Sequence, residues 1–254
     1  LDGCFRLDAA ALLGAPGLPW SRLEELGVDG EDLNGDELAL IAAACPALRC
    51  LAVAFARELG AGALAALASG LPRLEACTLR KAGRPSNEDW AGFFAGHRAS
   101  AAAAWAEGLG TEPPPQWRLL NLAESEQLAD IAALALAEAP LQGLLELDLS
   151  WCWHLGDHGL GAVLGAAQGL RRAKLAGLKS ITARGLAPCC RMARFEELDT
   201  TSCNSVEDAM LEFLYRLFVG PPGSGGGALP ASAGPPPRDA GEWLPEAVAA
   251  AAAQ

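Results

Sequence analysis

The sequence has one tyrosine, two methionines and three histidines in 254 residues, and only three of its 19 basic residues are lysine. It contains no run of Lys and Arg, and it carries 31 acidic residues for a formal net charge of -12. Nucleic-acid backbones are held mainly by clustered basic side chains, so this balance opposes a nucleic-acid partner and disfavours acidic substrates. Long apolar runs are missing too. The longest charge-free stretch in the regular part of the chain, 59–72, is well short of the roughly 20 residues that cross a bilayer, so no membrane span is expected.

Several catalytic signatures are absent as well. There is no G-x-S-x-G elbow, P-loop, G-x-G-x-x-G after a strand or H-E-x-x-H. The eight cysteines form no C-x-x-C pair and no knuckle spacing, which leaves a zinc site unsupported. The chain opens at Leu1 without Met and without a charged segment followed by an apolar core. That fits a fragment or a processed form, and it leaves targeting open.

What is present is a large apolar fraction, nominally 51% and inflated by 53 alanines. Without alanine, about 30% large apolar side chains remain, enough for one substantial core or a row of small ones. The alanine excess reads as coding bias rather than function.

The sequence also repeats. The segment from Leu144, LLELDLSWCWHLGDHGLGAVLGAAQG, places apolar groups at Leu144, Leu147 and Leu149, then Cys152, Leu155, Leu160, Val163 and Leu164. This is a short strand followed by an amphipathic helix. The same frame recurs at Leu23/Leu26/Val28, Leu48/Leu51/Val53, Leu74/Cys77/Leu79, Trp117/Leu120/Leu122, Leu170/Ala173/Leu175 and, more weakly, Phe195/Leu198/Thr200. The seven starts are separated by 25, 26, 43, 27, 26 and 25 residues. A unit of this size cannot bury its apolar face alone, whereas stacked units share a continuous core. Parallel strands are therefore expected on one side and helices on the other.

The frame resembles the leucine-rich-repeat family, in particular its cysteine-containing subtype found in F-box/leucine-rich-repeat ubiquitin-ligase adaptors. LLELDLSWCWHLGDHGL at 144–160 and FEELDTTSCNSVEDAML at 195–211 carry the resemblance. The subtype's cysteine appears only as Cys152 and Cys203, with Glu31, Ala56, Ala82, Ser125 and Leu178 at the corresponding positions. The resemblance implies an α/β horseshoe of about seven repeats, strands on the concave face and helices on the convex face. It also implies a role in substrate recognition for a ubiquitin ligase. No F-box-like segment is identifiable ahead of Leu23, so that role requires a further N-terminal part or a different linker.

The expected organisation has three parts. Residues 1–22, with a helix-like stretch from Phe5 to Leu13, form an N-terminal cap or partial repeat, and 23–219 hold the repeats. Residues 220–254 form a flexible Gly/Pro/Ala-rich tail, since 13 of the 22 residues in 220–241 are Gly or Pro. The 43-residue interval contains a helical insertion near 84–115, where Ser86 and Asp89 resemble a capping box and Trp90, Phe93, Phe94 and His97 share a helical stripe. That stripe either anchors the insertion or docks a partner.

Candidate chemistry is sparse. Cys152, His154, Asp157 and His158 form the one cluster with ligand-like spacing, but Cys152 falls on a core position and Asp157 reads as a helix N-cap. The adjacent Cys189 and Cys190 read as packing residues. No catalytic residue, metal site or cofactor is expected. The thiols read as reduced and buried, placing the protein inside the cell, in the cytoplasm, the nucleus or an organelle.

The concave face is the expected working surface. Residues alternate inward and outward along a strand, so Glu146, Asp148, Ser150, Arg172, Lys174, Glu197 and Asp199 face outward at its C-terminal end, and Ala123 does so one strand earlier. Arg172 and Lys174 lie between two acidic rows, positioned either to form lateral ion pairs or to be competed for by a partner. Of Trp151 and Trp153, one is expected in the core and one at the rim, with Trp151 the chosen contact. The resulting reading is a non-enzymatic protein-binding module. The alternative is a structural scaffold subunit of a larger assembly.

Overall fold

The computed structural model describes residues 19–29, 33–106, 116–203 and 206. The stretch from Phe5 to Leu13 and the tail 220–254 lie outside these residues. Among the described residues, seven short strands form one sheet: β1 Glu25–Asp29, β2 Cys50–Ala54, β3 Ala76–Leu79, β4 Leu119–Asn121, β5 Glu146–Asp148, β6 Arg172–Lys174 and β7 Glu197–Asp199. They pair in sequence order and in parallel throughout. Parallel neighbours need a crossover. Five of the six intervals supply one as a helix: α1 Gly35–Ala44, α2 Ala61–Gly70, α3 Asn87–Ala106, α4 Asp130–Ala137 and α5 Asp157–Ala166. The sixth uses α6 Ala183–Leu186 with a 3-10 turn, Ala187–Arg191. The result is a repeating, solenoid-like α/β fold.

Register follows the apolar frame. Leu26, Leu51, Cys77, Leu120, Leu147, Ala173 and Leu198 stand side by side across the sheet. One core cluster runs from Val28 to Cys203 between sheet and helices. The small helical residues have a packing role that coding bias alone does not describe. Ala42, Ala63, Ala68, Ala132 and Ala133 are buried, and a Cβ placed on Gly96 would come within 3.2 Å of the Ala68 methyl. Short side chains let successive helices pack closely against one another.

Among the described residues the long interval holds α3, the repeat's own helix extended to twenty residues, and the remainder of the expected insertion, 107–115, lies outside them. Ser86 and Asp89 do form the reciprocal box, with the Asp89 N–H donating to Ser86 Oγ at 3.1 Å and the Ser86 N–H donating to Asp89 Oδ2 at 2.8 Å. Trp90, Phe93, Phe94 and His97 are all buried, and His97 stacks on Trp117 at 4.5 Å between ring centroids. The stripe anchors the helix, so it offers no docking knob.

Asp157 departs from the expected N-cap role. Gly156 holds that position without a side-chain acceptor, and Asp157 is the first helical residue. Its carboxylate reaches the next repeat, accepting the Thr182 N–H and hydroxyl at 2.6 Å each and the Gly185 N–H at 3.1 Å. Asp130 likewise accepts the Gly156 N–H at 2.8 Å, and Asn87 accepts those of Ala129 and Ala132 at 3.1 and 3.0 Å. The first N–H groups of a helix have no intrahelical acceptor, so each of these three helices satisfies its successor's. Gly185 is required by this contact, because a Cβ there would lie 2.7 Å from Asp157 Oδ1. Earlier in the array the caps are local. Asn34 forms its own box with Glu37, and α2 has no side-chain cap because Gly35 begins the helix before it.

Candidate functional site

Three rows of side chains cross the uncovered face of the sheet. In the first, Glu146, Arg172 and Glu197 are in register. Arg172 Nη1 is 2.7 Å from Glu146 Oε1, and its Nε is 3.8 Å from Glu197 Oε2. In the second, Lys174 stands between Asp148 and Asp199. The two carboxylates are also used locally, since Asp148 accepts the Ser150 N–H at 3.0 Å and Asp199 the Thr201 N–H at 2.9 Å. Asn121 does the same for Ala123 at 3.1 Å, so these residues shape the turn that leaves the strand. The bonds to Thr201 hold the Asp199 carboxyl below its ordinary pKa, with Lys174 adding to the effect. Lys174 itself has no ion pair within 4.0 Å among the described residues.

A third row, flanking the strands, was not legible from strand alternation. Phe55, Lys81, Glu124, Trp151 and Ser202 all have positive φ, between 58° and 64°, and Gly177 has φ 71°. Each follows its strand at the equivalent place, where a left-handed residue turns the chain from sheet to helix. Side chains on this row touch one another. Lys81 Nζ lies 4.6 Å from the Phe55 ring centroid and 3.3 Å from Glu124 Oε2, while Arg80 holds Glu124 Oε1 at 2.8 Å. The Trp151 ring lies against Gly177, leaving no room for a Cβ there.

Both Trp151 and Trp153 are exposed, at 42% and 39%, which corrects the expected division into one core and one rim residue. Trp151 is carried outward by its left-handed backbone, while the buried Cys152 between the two fills the core position. With Glu124 and Glu126 they line an open cleft of about 340 Å³. Lys179 Nζ sits 4.7 Å from the Trp153 ring centroid. Ser150 and Ala123, expected to face outward, are buried instead, since they lie beyond the strand ends Asp148 and Asn121, where strand alternation no longer applies.

Of the residues singled out in the sequence, Glu146, Asp148, Trp151, Arg172, Lys174, Glu197 and Asp199 thus lie together on β5, β6, β7 and the adjoining rim. Glu124, Glu126 and Trp153 were missed. The legible signal was the column ahead of Cys152 and Cys203, which contains Gly177 and so marks a left-handed position.

The Cys152 cluster does not converge. Cys152 Sγ donates to the Leu122 carbonyl at 3.4 Å, and burial pushes its thiol up to about 12, while His154 and His158 are exposed. Cys203 makes the equivalent bond to the Leu175 carbonyl at 3.0 Å. Cys189 is also buried. Among the described residues no three His, Cys, Asp or Glu side chains are grouped as metal ligands, and no helix is long and apolar enough to cross a membrane.

The sequence matches no protein-family profile and no curated protein. Among solved structures, that of the Rad7 and Elc1 complex in yeast is similar with a TM-score of 0.35 and 16% identity, over 78% of this chain and 74% of that one.

Proposed function

We propose that this chain is a leucine-rich-repeat module whose uncovered sheet face is the concave face of a horseshoe, and that it recognises another protein there without catalysing a reaction. The observation that carries this reading is the grouping of Glu146, Asp148, Arg172, Lys174, Glu197 and Asp199 on three adjacent strands beside two exposed tryptophans. Tryptophans that are exposed in the free protein and rimmed by charge are common anchors of protein interfaces. Alternating charge on the strands favours a protein partner of matching pattern over a uniformly charged polymer. The buried thiols suit an intracellular site. The finer role, substrate recognition for a ubiquitin ligase, rests on the likeness of 144–160 and 195–211 to the adaptors of that class. The scaffold alternative has less support, because the aromatic stripe it would use on α3 is buried.

The test is charge reversal on the face. Arg172→Glu with Lys174→Glu removes the exposed ion pairs of Arg172, worth about 0–1 kcal/mol each, and sets like charges side by side on three strands at a surface cost of about 0.2–1 kcal/mol per pair, and far-ultraviolet circular dichroism checks that the variant stays folded. Affinity purification of the wild-type protein with mass spectrometry is expected to return ubiquitin-ligase components and substoichiometric clients, and the variant is expected to lose the clients. An unchanged set of clients would sink the concave-face reading. A fixed stoichiometric set of other subunits would favour the scaffold.

A further inference from the structure

We propose that the rim cleft formed by Trp151, Trp153, Glu124 and Glu126 receives an arginine side chain of the protein partner. This deepens the reading of the face as a recognition surface and rests on it. The rim already displays the chemistry required, since Lys81 sits over Phe55 and Lys179 over Trp153, each ammonium within 5 Å of a ring centroid. Phe55 is covered by the residue one repeat on, Lys81. At Trp151 the residue one repeat on is Gly177, so no such cation is supplied.

One face of the Trp151 ring rests on Gly177, and the side chain also lines the cleft with the two glutamates. Glu124 engages Arg80 and Lys81. The exposed Glu126 has no ion-pair partner within 4.0 Å among the described residues, so it is the carboxylate left for a ligand. A guanidinium suits this arrangement better than an ammonium. It is flat enough to stack on an indole and presents a fork of donors to a carboxylate lining the same cleft. The net charge of -12 adds long-range attraction for a cationic segment.

The experiment uses the full chain and two probes, N-acetyl-arginine methylamide and its uncharged citrulline counterpart. The indole N–H resonances of Trp151 and Trp153 are assigned through Trp151→Phe and Trp153→Phe. The arginine probe is expected to shift both resonances saturably at millimolar concentration, with the citrulline probe at least about tenfold weaker. Glu126→Gln is expected to weaken arginine binding about fivefold, and raising salt from about 50 to about 500 mM to weaken it further. The rest of the spectrum reports that the variants remain folded. Equal binding of the two probes, indifference to Glu126→Gln, or no saturable shift with arginine would each overturn the assignment, as would a neutral proline-rich peptide that binds while the arginine probe does not. The charge-reversal experiment leaves the cleft intact. Clients unaffected by Arg172→Glu and Lys174→Glu, together with a cleft that binds the arginine probe, would therefore mean that the concave-face reading fails and the arginine site stands.

Discussion

His97 is held between the Trp117 ring and the α3 stripe, and its Nε2 has no hydrogen-bond partner among the described residues. Burial lowers its pKa from 6.5 to about 4, and a hydrogen bond to the Leu71 backbone opposes that shift only in part. A depressed pKa means that the unfolded chain takes up the proton first. The associated stability is therefore complete above pH 6.5 and lost as pH falls toward 4, by about 3 kcal/mol at most. Urea unfolding between pH 7 and pH 4 should show this loss in the wild type, and His97→Leu should remove that part of the pH dependence. Equal slopes in the two proteins would mean that His97 is protonated without penalty. The burial of His97 follows from its place on the apolar stripe and was visible in the sequence. Trp151, chosen as the rim contact, is exposed as expected, whereas the exposure of Trp153 was not legible, because only the left-handed turn decides that Cys152 points inward in its place.

Helix starts were partly legible. The Ser86 to Asp89 box is local and could be read from spacing alone. The bonds made by Asn87, Asp130 and Asp157 cross from one repeat to the next over 25 to 45 residues, and spacing within a single helix cannot disclose them. Asp157 accepts three hydrogen bonds in this way. Its removal leaves part-buried donors unsatisfied, whereas loss of an exposed cap costs about 1 kcal/mol. Asp157→Ala should therefore cost about 2–3 kcal/mol in chemical denaturation and Asn34→Ala about 1 kcal/mol. Comparable losses would show that water replaces the cross-repeat acceptor.

At the scale of the whole molecule, strand number, order and register were legible because one apolar frame recurs seven times and each unit needs its neighbours to be buried. The weakest frame, at Phe195, forms β7 in the register of the others. The lateral position of each row followed from alternation, while the rim row, which depends on backbone handedness, did not. Since a single core cluster links Val28 to Cys203, urea should unfold the described repeats in one transition, with far-ultraviolet circular dichroism and tryptophan fluorescence coinciding. Two separated transitions would place a boundary ahead of α3, where no described side-chain acceptor reaches from one helix to the start of the next.

The cross-repeat acceptors also bear on how such an array can be cut and rejoined. Ahead of Ser86 each helix is self-sufficient or uncapped, so a unit there can be duplicated, deleted or exchanged without orphaning a neighbour's donors. From Asn87 to Asp157 each described unit carries the acceptor for the unit behind it, and Gly185 must be small to admit the carboxylate that precedes it. Those repeats are inherited or engineered as matched neighbours, and a graft that ignores the match disrupts the junction on both sides.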